Sequence, residues 1–205
     1  IPAGVLRRAW NFRDPRVPGR EELAPILALI GWPEVERNGL HVRLPRAGME
    51  IDFGGFGKEY AADRAAAMLV ERGARHGYVN LGGDLRVFGP QPDGSPWVIG
   101  IQDPRASDRL VASIPVQSGA LTTSGDYERY FDADGKRYCH ILDPHTGMPV
   151  EHWRSVSVLA PLAIAAGSCA TIAMLKAEQA LPFLEGANVA YLAVDCRGEV
   201  FSKAL

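Results

Sequence analysis

Residues 138–149 read YCHILDPHTGMP and set a titratable imidazole, His140, just ahead of Asp143-Pro144 and Thr146-Gly147. An imidazole with an ordinary pKa of about 6.5 can accept a proton at neutral pH. Tyr138, His140 and Leu142 alternate, which predicts the end of a β-strand with His140 on one chosen face. Proline has no N–H to continue a ladder, and Thr-Gly suits a tight turn. A hairpin end whose histidine is simply satisfied by hydrogen bonds accounts for the same residues.

Three further polar, glycine-rich stretches could do chemistry. Asp52-Phe-Gly-Gly-Phe-Gly-Lys58 stands between a predicted strand and helix. The glycines there permit close approach of a ligand, and the helix start offers free N–H groups to phosphate. Lys58 adds a cation, although GxxxxGK[ST] is absent. Asn80-Leu-Gly-Gly-Asp84 reads as a glycine-interrupted strand, either a bulge or a place of close backbone approach. Thr122-Thr-Ser-Gly-Asp-Tyr127 clusters hydroxyls with an acid, suited to phosphate, ribose or a metal, or to an Asx-type turn.

The elements that must position these groups are predicted by periodicity. Residues 20–31 predict a short helix ended by Gly31 and Trp32-Pro33. HVRLP and MEIDF predict a hairpin around Arg46-Ala47-Gly48. The helix over 58–74 has Ala61, Ala65, Met68 and Leu69 at helical spacing and Gly73 as its cap. GYVNL, DLRVFG, WVIGIQ, RLVASIPV and YERYF read as strands, and Ala133-Asp-Gly135 turns into KRYCHIL. SVSVLAP is a strand, 163–177 a second helix and EQALPFLEG a third, before a hairpin of VAYLAVD and GEVFSKA. Strands in runs with few helices between them predict an α+β fold of mixed and antiparallel sheets.

Composition narrows the partners. The 205 residues are 47% hydrophobic and 22% charged, enough for a sizeable core. A net charge of −2 with scattered Lys and Arg argues against a nucleic-acid surface. Cys139, Cys169 and Cys196 form no CxxC pair, and an odd count argues against a complete disulfide framework. No apolar run approaches the roughly 20 residues of a membrane-spanning helix.

DFGGFGKEYAADRAA, NLGGDLRVFG, TTSGDYERYF and HILDPHTGMPV, in this order, resemble the ApbE-type FAD:protein FMN transferases over about Trp10 to Leu205. The resemblance implies one ApbE-like domain over 1–205, lacking the family's N-terminal strand, helix and Phe-Asp element. It implies magnesium-assisted transfer of FMN from FAD to a threonine hydroxyl of a target protein, with AMP released. His140 would be the catalytic base. Asp52 and Lys58 would hold FAD, with Tyr60, Ala61 and Asp63 along the flavin side. Asn80, Gly82, Gly83 and Asp84, Ser124, Gly125 and Asp126, and Ile141, Asp143 and Thr146 would complete the nucleotide's surroundings. The Gly55 carbonyl and Thr171 would face Mg2+. A cell-envelope location is what the family leads one to expect. A flavin-holding module without transfer, and a metal-dependent FAD pyrophosphatase giving FMN and AMP, are the alternatives.

One departure bears on the metal. Family members carry Ala-Asp-Ala-Leu-Ala-Thr in the second helix, with Asp and Thr both facing the ion. This chain has Ala166-Gly-Ser-Cys-Ala-Thr171, so Gly167 stands where the carboxylate belongs. Magnesium prefers hard anionic oxygens, so its hold should weaken unless water, FAD phosphates or another acid fills in. An aspartate at 167 would share a face with Thr171 and harden the site, unless the small-residue run signals close packing.

Overall fold

The tightest turn signal in the first fifty residues is Asn38-Gly39, and the first hairpin closes there rather than at Arg46–Gly48. The computed structural model describes residues 3–204. Its strands are β1 Glu36–Asn38, β2 His41–Arg43, β3 Tyr78–Leu81, β4 Asp84–Val87, β5 Trp97–Asp103 and β6 Ala106–Val116. They continue as β7 Gly119–Gly125, β8 Tyr130–Ala133, β9 Lys136–Cys139, β10 Trp153–Ala160, β11 Ala190–Asp195 and β12 Val200–Lys203. The helices are α1 Arg20–Leu27, α2 Gly57–Glu71, α3 Ala163–Lys176 and α4 Ala180–Gly186. The chain is α+β and divides into two compact units, one of residues up to Gly54 with Arg129–Val150, the other Gly55–Glu128 with Glu151 onward.

In the first unit, α1 and the hairpin β8–β9 pack on a small aromatic core, while both strands of the β1–β2 hairpin are exposed. Leu6, Ala9, Trp10, Leu23 and Phe131 are buried there. Trp10 stacks on Phe12 and Tyr138 at centroid distances of 5.8 and 6.1 Å. The predicted helix over 20–31 stops earlier, at Leu27, and runs out in turns. Met49 N–H bonds the Arg46 carbonyl, so the turn at 46–49 exists, but MEIDF forms no strand beyond it.

In the second unit, six strands in the order β12-β11-β10-β7-β4-β3 form an antiparallel sheet. The β5–β6 hairpin covers one face through Ile99, Ile101, Ile114 and Val116, packed with Val87, Leu121, Leu192 and Val194. The helices α2 and α3 cover the other, where Ala62, Ala120 and Ala163 meet. Periodicity does not reveal the strand β7. GALTTSG is small and polar, and its burial comes from lying centrally between β4 and β10.

Two further expectations are corrected. Gly82-Gly83 is no bulge: Leu81 pairs with Asp84, and the glycines form a two-residue hairpin turn with φ of 62° and 93°. Such a turn needs positive φ at both positions. The buried face of α2 is Glu59, Ala62 and Ala66, whereas Ala61, Met68 and Leu69 are exposed. AADRAAAMLV is apolar nearly all round, so periodicity alone could not fix its phase.

Candidate active site

The second unit holds a buried polar group between sheet and helices. Successive side chains of a strand alternate faces, so Ala120, Thr122 and Ser124 of β7 share the face toward α2 and α3. Ser124 Oγ lies 3.0 Å from Thr171 Oγ1 on α3. Thr122 is buried, and its Oγ1 has no hydrogen-bond partner. Asp84, at the start of β4, is 3% exposed and pairs through Oδ2 with Lys58 Nζ at 2.6 Å. Burial pushes the Asp84 carboxyl above the usual range, and the Lys58 ammonium pulls it back in part.

Glu59 completes the group, and no sequence motif singles it out. It is 4% exposed, and its Oε2 has no hydrogen-bond partner. Burial raises its pKa, and the negative charge of Asp84 adds to the rise. A carboxylate so placed is costly unless something satisfies it. A weaker signal is present in the sequence: Glu59 precedes Ala62 and Ala66 by three and seven positions, the spacing of one helix face.

The remaining expected residues of this unit divide by occupation. Asp63 accepts the N–H groups of Ala163 at 2.9 Å and Ile164 at 3.0 Å, and pairs with Arg86 Nε at 3.2 Å. It thus caps the start of α3, whose own N-cap, Leu162, has no side-chain oxygen to offer. Asp126 is buried and held by Arg105 through two bonds of 2.7 and 2.6 Å. Asn80 Oδ1 accepts from Gly83 N–H at 2.9 Å and closes the β3–β4 turn. Tyr60 and Ala61 lie on the exposed side of α2, Gly55 lies just ahead of that helix, and Gly125 is buried at the end of β7.

In the first unit, the strand β9 ends at Cys139, one residue short of His140. Proline and the loop's own bonds draw the chain out of the ladder, although His140 N–H still bonds the Arg129 carbonyl at 3.0 Å. The loop then closes on itself. Ile141 accepts from Val150 N–H, Leu142 bridges Pro149, and Asp143 exchanges bonds with Met148 and Gly147. The Asp143 carboxylate accepts His145 N–H at 2.8 Å, and Thr146 Oγ1 accepts Met148 N–H at 3.2 Å. Trp10 Nε1 donates to the Gly147 carbonyl at 2.7 Å and ties the loop to the aromatic core. Ile141 is buried and Thr146 exposed. Asp52 pairs with Arg7 Nη1 at 2.9 Å and accepts Gly54 N–H.

Cys139 is buried, Cys169 half-buried and Cys196 exposed. Among the described residues no three His, Cys, Asp or Glu gather closely enough to hold a metal by themselves, and no helix is long and apolar enough to cross a membrane.

The sequence model of the ApbE family matches residues 1–193. The chain belongs to the ApbE family. Its relatives include the FAD:protein FMN transferase of Vibrio cholerae, 35% identical, with 87% of this chain aligned to 55% of that one. That of Escherichia coli K12 is 29% identical over 98% of this chain and 60% of its own length. The chain thus spans about three-fifths of the curated relatives it matches. The crystal structure of the ApbE protein from Thermotoga maritima superposes with a TM-score of 0.91 at 36% identity, covering 98% of this chain and 68% of that one. The flavin transferase ApbE of Vibrio cholerae gives 0.87 at 29% identity, with coverage of 100% and 68%. The α+β architecture of the ApbE fold is therefore present here with its sheet and both flanking helices.

Proposed function

We propose that this chain is an FMN transferase that takes FAD and a protein threonine as substrates. The reading is supported by family membership and carried by one observation, the grouping of buried Glu59 and Asp84 with half-buried Ser124 and Thr171 and the exposed Lys58. Phosphoryl transfer demands positioning and charge neutralisation more than covalent chemistry. A cation on Lys58, hydroxyl donors on Ser124 and Thr171, and N–H groups at the start of α2 are suited to an anionic pyrophosphate.

In the reaction the threonine Oγ attacks the phosphorus of the FMN half, a new P–O bond forms, and the bond to the AMP oxygen breaks. His140 takes the proton from the threonine hydroxyl, and AMP leaves with the pyrophosphate's second phosphorus. Only the neutral imidazole has a free lone pair to accept that proton.

The family's magnesium fits the residues present: an unpartnered buried carboxylate oxygen on Glu59 and the Thr171 hydroxyl are hard oxygen donors. Thr171, Glu59 and the Gly55 carbonyl would hold it. Bound there, the ion would neutralise charge on the phosphate oxygens.

Incubation with FAD, Mg2+ and a threonine-bearing acceptor protein, with products read by mass spectrometry, tests the reading. The expected result is an acceptor heavier by FMN with stoichiometric AMP. Free FMN and AMP with an unmodified acceptor would make the chain a pyrophosphatase, and FAD retained without AMP would make it a binding module.

A further inference from the structure

Gly167 lies on α3 where the family's carboxylate is missing, and the space beside it is already filled. A Cβ built on Gly167 would come within 2.6 Å of Glu59 Cγ, 2.7 Å of Oε1 and 3.0 Å of Cδ. Real Cβ atoms essentially never approach so closely, and the nearest atom is mid-chain Cγ rather than a movable tip. Any side chain at 167 therefore requires Glu59 to move, and Glu59 in its present place requires glycine at 167. Glu59 is 4% exposed, and its Oε2 finds no hydrogen-bond partner. Thr171 is one helical turn beyond Gly167 on the same face, with Ser124 Oγ 3.0 Å from its hydroxyl.

We propose that Glu59 supplies the anionic ligand of the metal site, reaching from α2 into the room that glycine leaves on α3, so that the carboxylate has changed helices without leaving the site. The proposal rests on the reading that this cluster binds a divalent ion for FMN transfer. It reverses the expectation from sequence: Gly167 marks a relocated ligand, and Gly167→Asp alone overfills the space instead of hardening the site.

The test is binding of Mn2+, an oxygen-seeking stand-in for Mg2+, monitored by the electron paramagnetic resonance of the free ion, with and without FAD. The parent chain should bind one Mn2+. Glu59→Gln, which keeps the shape and removes the charge, should weaken binding at least about tenfold while circular dichroism stays native. Gly167→Asp should lower the melting temperature. Glu59→Ala with Gly167→Asp should restore both the melting temperature and Mn2+ binding, which a purely structural glutamate would not do. Parent-like binding by folded Glu59→Gln, or no Mn2+ bound by the parent in either condition, overturns the proposal. Should Mn2+ bind as described while FAD does not, the flavin reading falls and the metal assignment stands.

Discussion

The indole N–H of Trp10 donates to the carbonyl of Gly147 across 2.7 Å, joining residues 137 positions apart. The bond holds the Asp143–Gly147 loop against the stacked rings of Phe12, Phe131 and Tyr138. Trp10 is buried, so removing the donor leaves a carbonyl without its partner. Trp10→Phe should cost about 1–3 kcal/mol of stability, read by urea denaturation. Amide exchange over 143–148 should quicken more than exchange in α3. Uniform change across both segments would show that the bond is not local in its effect.

His140→Ala should lower FMN transfer by about 10²–10⁴-fold while FAD affinity stays near that of the parent. The measurement is initial rate of acceptor modification beside an FAD titration. Transfer at the parent rate would remove His140 from the chemistry.

Asp63 meets two backbone donors at the start of α3 and the guanidinium of Arg86. Asp63→Ala removes all of these together. Loss of a capping side chain alone costs about 0.5–2 kcal/mol, so a denaturation midpoint shifted by at least that much is expected. An unchanged midpoint would mean that water caps α3 equally well.

Tyr127 is held neutral. Burial, with the charges of Glu128 and Asp126, pushes its phenol up to about 12. A folded-state pKa above the unfolded value contributes stability that is complete below the unfolded pKa and lost as pH rises through the folded one. The second unit should therefore lose stability between the ordinary tyrosine value of about 10 and pH 12. Tyr127→Phe should flatten that part of the melting-temperature profile. An identical alkaline slope in both proteins would assign the loss to other groups.

Local turn chemistry is legible in the sequence where it is strong and misleading where two signals compete. Asp134-Gly135 reads correctly as a hairpin turn, but Arg46–Gly48 draws attention away from Asn38-Gly39. The strand β10 is readable because Val156 and Val158 alternate with Ser155 and Ser157. β7 is not, because its Thr and Ser are buried by neighbours distant in sequence. His140 lies one step beyond the end of β9, since the loop's own hydrogen bonds outweigh the alternation of Tyr138 and Leu142. The motifs lead to Lys58, Asp84, Ser124 and Thr171, which share the second unit. They do not lead to Glu59, because a helix rich in alanine hides which side faces inward until α3 is packed against it.

The capping carboxylate of Asp63 also acts as an indexing pin. Asp63 meets Ala163 and Ile164, while Glu59, four residues earlier on α2, meets Gly167, four residues later than Ala163 on α3. The two helices therefore run in opposite directions past each other, with matching turns engaged at two points four residues, about 6 Å, apart. A slip of α2 by a single residue, about 1.5 Å of rise, would break the cap and drive Glu59 off the glycine at once. The distance between the acid on one helix and the hydroxyl on the other is in this way set by a residue that touches neither.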